Sequence, residues 1–229
     1  YANKELVAAL SRLTSKKPKA IYNDINTQFL KDMAEFHKGG KKMVLKHPRF
    51  FKAFVVPNLR SHPELFSLFT NTITLTNIYS NSKAVNKLAS MAGAQLDCRL
   101  LPETNEQEFL TMIRRKLKND DIKIKIIKSS PVVAPSDTEN SFRKNLGLAI
   151  QQNYPTATTM DMMMPNTNDL GVFRAKNIPS YGTLPIFCDT EEVRSVHGKN
   201  EHLHITSLYS GGDVYASFLK LMISENDIK

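Results

Sequence analysis

Two short runs of alternating residues limit what this 229-residue chain can fold into. Residues 72–79 read Thr-Ile-Thr-Leu-Thr-Asn-Ile-Tyr, and Ala94, Leu96, Cys98 and Leu100 alternate with Gln95, Asp97 and Arg99. A period of two, rich in β-branched residues in the first run, specifies strands with one apolar face. Asp97 and Arg99 then emerge together on the opposite face. Ile122, Ile124 and Ile126, alternating with Lys123 and Lys125, predict a third strand with one wet face.

Helical spacing frames these strands. Leu6, Leu10 and Leu13 predict an amphipathic helix over 3–13, and Lys16, Lys17 and Pro18 stop it. Thr104 and Gln107 have capping-box spacing, opening a helix to about Leu117 with Phe109, Ile113 and Leu117 as its stripe. Helix, strand, strand, helix, strand is a ferredoxin-like split βαβ unit lacking its first strand, which would precede Tyr1. Residues from about 23 to 70, broken by Gly39-Gly40, His47-Pro48 and His62-Pro63, read as an insertion of short helices.

Ser129-Ser130-Pro131 and Pro135-Ser136-Asp137 read as a linker into a second unit. That unit is expected to be α/β but short of strands. Helices are predicted over about 139–152 and 213–223, with strands over 178–184 and 203–205. The length accommodates two domains, and a hydrophobic share of 41% with 23% charged residues is ordinary globular usage. Cys98 and Cys188 lie in different units and read as core thiols, with no disulfide framework or CxxC zinc site. No apolar run reaches membrane-spanning length, and the Tyr1-Ala-Asn-Lys-Glu start carries no signal pattern and reads as beginning mid-domain.

The net charge of +9 is concentrated. Lys31, Lys38, Lys41, Lys42, Lys46, Arg49, Lys52 and Arg60 are interleaved with Phe36, Phe50, Phe51 and Phe54. Single-strand nucleic-acid binders use that mixture. Without a recognised nucleic-acid module the segment reads as a solvated face over an apolar anchor, and neither a nucleic-acid nor a membrane partner is expected.

The residues suited to chemistry gather late in the chain. His197-Gly198-Lys199-Asn200-Glu201 sets an imidazole four residues before a carboxylate, a pairing able to hold a cation and orient its ligand. It follows Thr167-Asn168-Asp169, which leads to Phe173-Arg174 and Ile178-Pro179. Asp161-Met-Met-Met-Pro165 reads as core or pocket wall, Glu191-Glu192 as loop charge, and His202 with His204 as a surface pair on a strand.

Together with Val85-Asn86-Lys87-Leu88 and Gln95-Leu-Asp-Cys-Arg-Leu-Leu-Pro102, the order of these motifs resembles the C-terminal half of the two-zinc amidohydrolase and metallopeptidase family. That family includes aminoacylase, acetylornithine deacetylase, succinyl-diaminopimelate desuccinylase and carboxypeptidase S. The resemblance implies an α/β (α+β) chain: a ferredoxin-like lid or dimerisation domain over 1–128, then the C-terminal segment of a zinc-binding catalytic domain over 129–229. It implies His197 as a zinc ligand and Glu201 as its support. Asn86, Arg99, Thr167, Asn168 and Asp169 would be substrate contacts, although the family's Gly-Thr-Ser-Asp form is not met at Thr167 and Asn168. The intact enzyme would hold two zinc ions, one ligand coming from this chain, and would cleave an amide bond of a peptide or N-acyl amino acid. The family's His-x-Asp pair, bridging aspartate and general-base glutamate are not in this sequence. The chain alone is therefore expected to be inactive, to need the N-terminal half of the catalytic domain, and to form a homodimer through the lid. A non-catalytic binding or dimerisation module of the same fold is the alternative, a nucleic-acid binder through the basic 31–60 segment ranks behind it, and the compartment is not readable.

Overall fold

The computed structural model describes every residue except 83, 85, 131, 165–167 and 227–229, together with the side chains of 225 and 226. The described elements run α1 (Ala2–Thr14), α2 (Asp24–Ala34), α3 (Gly39–Lys46), α4 (Lys52–Arg60), α5 (Pro63–Ser67), β1 (Thr72–Ser80), β2 (Ala92–Arg99) and α6 (Glu106–Leu117). They continue with α7 (Ser141–Asn153), α8 (Leu170–Arg174), α9 (Thr190–Ser195) and α10 (Ile205–Asn226). The chain divides into two compact units, Tyr1–Val132 with Met162–Thr167, and Val133–Asp161 with Asn168–Lys229.

In the first unit β1 and β2 form an antiparallel hairpin in which Thr72 faces Arg99 and Ile73 faces Cys98, with a bulge between Leu75 and Asn77. Its apolar face needs a cover, since an isolated two-stranded ribbon is marginal in water. α1 and α6 supply one, burying Ala9, Leu13, Phe109, Ile113 and Leu117 against Ile73, Leu96 and Cys98. Arg12 joins the two helices through its guanidinium, donating to the Leu117 carbonyl from Nε (2.9 Å) and Nη2 (2.7 Å). That satisfies a carbonyl left open where α6 ends in left-handed Lys118. α6 is opened not by Thr104 but by Asn105, whose side chain accepts from Gln107 and Glu108 N–H. Thr104 instead donates to Asn71 Oδ1 (2.9 Å).

The third predicted strand is not a strand. Ile122 and Ile124 pack against the α1–α6 core as their alternation requires, but residues 122–126 have no ladder partner among the described residues. Apolar periodicity reports which side of a segment is buried, and a ladder needs a neighbouring backbone besides. Residues 23–70 form four helices, α2 to α5, joined by turns, with Phe29, Leu30, Val55, Leu59 and Phe69 buried.

The second unit is built on α7 and α10, which enclose Leu146, Ala149, Val214 and Phe218. The strands expected over 178–184 and 203–205 are absent from the described residues. Residues 178–184 have no regular structure and are tied by side chains, with Ser180 N–H donating to Ser136 Oγ (2.8 Å) and Tyr181 Oη donating to the Asp137 carbonyl. Ile205 already belongs to α10, which begins eight residues before its expected start and runs through Gly211-Gly212. A side chain at Gly211 would collide with Ile186, so that glycine allows the 185–186 segment to lie against the helix without breaking it. The architecture is thus mostly helical with one two-stranded sheet, in place of the richer α/β arrangement expected.

Asn26, 2% exposed, ties the first unit together. It shares a capping box with Asn23 at the start of α2, and its Nδ2 donates to the Ile21 (2.9 Å) and Leu68 (3.2 Å) carbonyls. Asn26→Ala removes the cap contact and strands two carbonyls, and is expected to cost about 2–4 kcal/mol. Denaturant unfolding checks this, and a loss below about 1 kcal/mol would mean the network is dispensable.

Candidate functional site

The segment after α9 folds as a tight turn around His197. Its φ of 62° lies in the left-handed region that histidine adopts uncommonly, at a cost of roughly 1–2 kcal/mol. Two contacts hold it there. His197 N–H donates to Glu201 Oε2 (3.0 Å), and Gly198 N–H donates to the Ser195 carbonyl (2.7 Å). A Cβ at Gly198 would sit 2.8 Å from that carbonyl, so the second position of the motif requires glycine. The His197 side chain is exposed. Glu201 thus contacts the backbone of His197 and leaves its ring unengaged.

Beside this turn lies a group that the sequence did not point to. Ligand atoms of Asp189, Glu192 and His204 all fall within 4.8 Å of one another. Glu192, read as loop charge, is 3% exposed and lies in α9. Its Oε2 accepts from Asp189 N–H (2.8 Å) and its Oε1 from His204 N–H (2.7 Å). Asp189 Oδ1 in turn accepts from Glu191 and Glu192 N–H (2.8 and 2.9 Å). Asp189-x-x-Glu192 is a capping box, the one signal in the sequence that could have found it. These backbone donors hold both carboxyls below their usual pKa, and the carboxylates serve chiefly to fix the start of α9 and the approach to α10. His204 lies outside any strand, at the entrance to α10. Next to it, His202 Nδ1 is 2.7 Å from the Asn200 carbonyl, which raises its pKa.

The remaining predicted site residues are dispersed. Asn168 Oδ1 accepts from Leu170 N–H (3.0 Å) at the start of α8, where Asp169 is the N-cap residue, and Thr167 lies outside the described residues. Arg99 pairs with Asp97 at 3.4 Å, both half exposed. Asn86 is exposed in the connection between β1 and β2. Ser80 pairs with Ala92 at the connection that carries Asn86, and Thr72 pairs with Arg99 at the other end of the hairpin, whose strands are roughly 23 Å long. The structure does not bring them together. A cleft of about 510 Å³ in the second unit, walled by Arg143, Tyr154, Asp161, Tyr181, Leu184 and Phe187, includes none of the predicted site residues. Arg143 closes one side of it, its Nε and Nη2 donating to the two Asp161 oxygens (3.0 and 3.1 Å). Of the run read as core or pocket wall, Met162 and Met164 are exposed, Met163 is half-buried and Asp161 lines the cleft.

A complete two-zinc ligand set does not fit the described residues. In the one group of three candidate ligands among the described residues, the two carboxylates already accept backbone N–H bonds, and His197 is not in the group. Because the folded pKa of Glu192 is depressed, its contribution to stability is present above the ordinary carboxylate range and is lost as pH falls through the folded value. Glu192→Gln is therefore expected to lower the melting temperature at pH 7, and the gap to the parent chain should close as the pH is taken down to about 3. A gap that does not change with pH would sink this assignment.

Comparison with known proteins follows the same division. The family profile described as the peptidase dimerisation domain of the M20 peptidases matches residues 2–125, more than half of the chain. "Probable carboxypeptidase S-like 2" of Dictyostelium discoideum is 23% identical over 173 residues, covering 74% of this chain and 33% of that protein. The human N-fatty-acyl-amino acid synthase/hydrolase PM20D1 is 22% identical over 204 residues, covering 87% of this chain and 40% of its own length. The crystal structure of the M20 family metallo-carboxypeptidase Sso-CP2 from Sulfolobus solfataricus matches with a TM-score of 0.62 at 13% identity, over 95% of this chain and 52% of that one. The chain therefore spans between 33% and 40% of these two curated relatives. With its dimerisation domain at residues 2–125, the chain belongs to the M20 peptidase family.

Proposed function

We propose that this chain is the lid and closing catalytic segment of a zinc-dependent M20 hydrolase that cleaves an amide bond of a peptide or N-acyl amino acid. The observation that carries the reading is the 197–201 turn: an exposed imidazole rooted in strained backbone that a carboxylate four residues on holds in place. A carboxylate that fixes the backbone beneath an exposed imidazole is suited to presenting that ring to a metal ion. The names of the two curated relatives, a carboxypeptidase and an N-acyl-amino acid hydrolase, agree on the class of bond.

In this reading His197 supplies one zinc ligand and Glu201 positions it. The other ligands and the general base come from parts of the protein beyond these residues, so no step of hydrolysis is completed by this chain. Zinc would contribute Lewis-acid polarisation of the amide carbonyl. Asn168 and Asp169 lie on the substrate side of the second unit, and Thr167 joins them as a substrate contact in this reading. Asn86 and Arg99 are the polar groups of the lid that would meet the substrate. The lid spans about 1–128 and makes the dimer, while 129–229 completes the catalytic domain.

The lack of a full ligand set favours a second reading, a dimerisation module of the same fold without chemistry. Zinc separates the two. In the intact protein, His197→Asn keeps a residue that tolerates left-handed backbone and should remove bound zinc and hydrolysis together, with the melting curve little changed. Glu201→Gln should lower activity by about 10–100-fold. Full zinc content and turnover in His197→Asn would overturn the assignment. The 229-residue chain alone should retain well under two zinc ions after dialysis and should not hydrolyse N-acyl amino acids. Light scattering at micromolar concentration should report a dimer, and a monomer there would remove the lid's proposed role.

A further inference from the structure

The turn that presents His197 is held from outside as well as from within. Residues 202–204 leave it without regular structure, and side chains of α9 take up two of their N–H groups, two residues apart. His204 N–H donates to Glu192 Oε1 (2.7 Å) and His202 N–H to Ser195 Oγ (3.4 Å). Glu192 and Ser195 are three residues apart in α9 and so are neighbours on its surface. Ser195 also meets the near end of the turn, where its carbonyl accepts Gly198 N–H (2.7 Å). One short helix thus ties the chain on both sides of the motif.

Glu201 stands between these anchors. It immediately precedes His202, and its Oε2 is the acceptor for His197 N–H (3.0 Å). The reach of that carboxylate is therefore set by chain that α9 pins at 202 and 204. A left-handed residue such as His197 persists only while its surroundings hold it.

Glu192 suits this task because it is a carboxylate. It is 3% exposed, and its two oxygens serve separate backbone groups, Oε2 accepting from Asp189 N–H (2.8 Å) and Oε1 from His204 N–H. A glutamine offers a single acceptor oxygen, and its amide nitrogen would face whichever N–H remained. One of these bonds sets the start of α9 and the other sets the exit from the turn, so the buried carboxylate couples the two.

We infer that Glu192 is a positioning residue for the His197 imidazole, acting through the pinned 202–204 segment and Glu201. That the imidazole meets a metal rests on the proposed function, whereas the coupling from Glu192 to the turn does not.

The test is exchange of the His197 and Gly198 amide protons with water, read by NMR on the full 229-residue chain. Glu192→Gln should speed both by about tenfold. Ser195→Ala should act in the same direction, and decides the matter if the glutamine variant does not fold. Ala149→Gly, in the α7–α10 core, lowers stability through the helix backbone and should leave both rates at the parent value. Because Glu192 acts through Glu201, its effect at His197 should largely vanish in a Glu201→Ala background. Parent rates in both α9 variants, an equal acceleration in Ala149→Gly, or full additivity with Glu201→Ala would overturn the inference. In the intact protein Glu192→Gln should also weaken zinc retention by roughly tenfold. Faster turn exchange with zinc held as in the parent would leave the inference standing and remove His197 from the zinc site.

Discussion

A hairpin of two strands does not hold itself together in water, and the first unit is organised around that fact. The ribbon formed by β1 and β2 gains stability where α1 and α6 lie across it, each large side chain removed from water there contributing about 1.5–3 kcal/mol. Helices from opposite ends of the domain sequence must therefore meet, and Arg12 fixes where they do. Its two bonds to the Leu117 carbonyl bridge 105 positions of chain. They draw a cationic group onto the negative end of α6, where the helix dipole favours it.

What could be read from the sequence follows from which patterns are local. The strands at 72–79 and 94–100 and the helices carrying Leu6, Leu10 and Leu13, or Phe109, Ile113 and Leu117, announce themselves through side-chain periodicity, because burial on one face writes that period directly. The segment at 122–126 has the same period for the same reason, yet pairing depends on a second backbone that its own residues do not encode. The sequence predicts the last helix from about 213, but it begins at Ile205, and the proximity of Ile186 to Gly211 reveals a close approach inside a continuous helix. Asn105 in place of Thr104 is a slip of one residue between two competent caps.

The candidate site divides along similar lines. His197, Gly198 and Glu201 are contiguous, so their spacing was visible and their turn is local. Glu192 and His204 are twelve positions apart and meet through a backbone N–H, a contact that no spacing rule anticipates. The same residue types that bind metals also cap helices, and what distinguishes the two here is the number of backbone donors already occupying the carboxylate oxygens. At Asp189 and Glu192 those donors are present.

Glu201 grips the amide of His197 and not its ring. The imidazole is consequently anchored at its root and has no hydrogen-bond partner at its tip among the described residues. In sites where a carboxylate holds the ring nitrogen, the tautomer is chosen by the protein before any ligand arrives. Here that choice passes to whatever approaches the ring, and the geometry of the incoming group decides which nitrogen carries the proton.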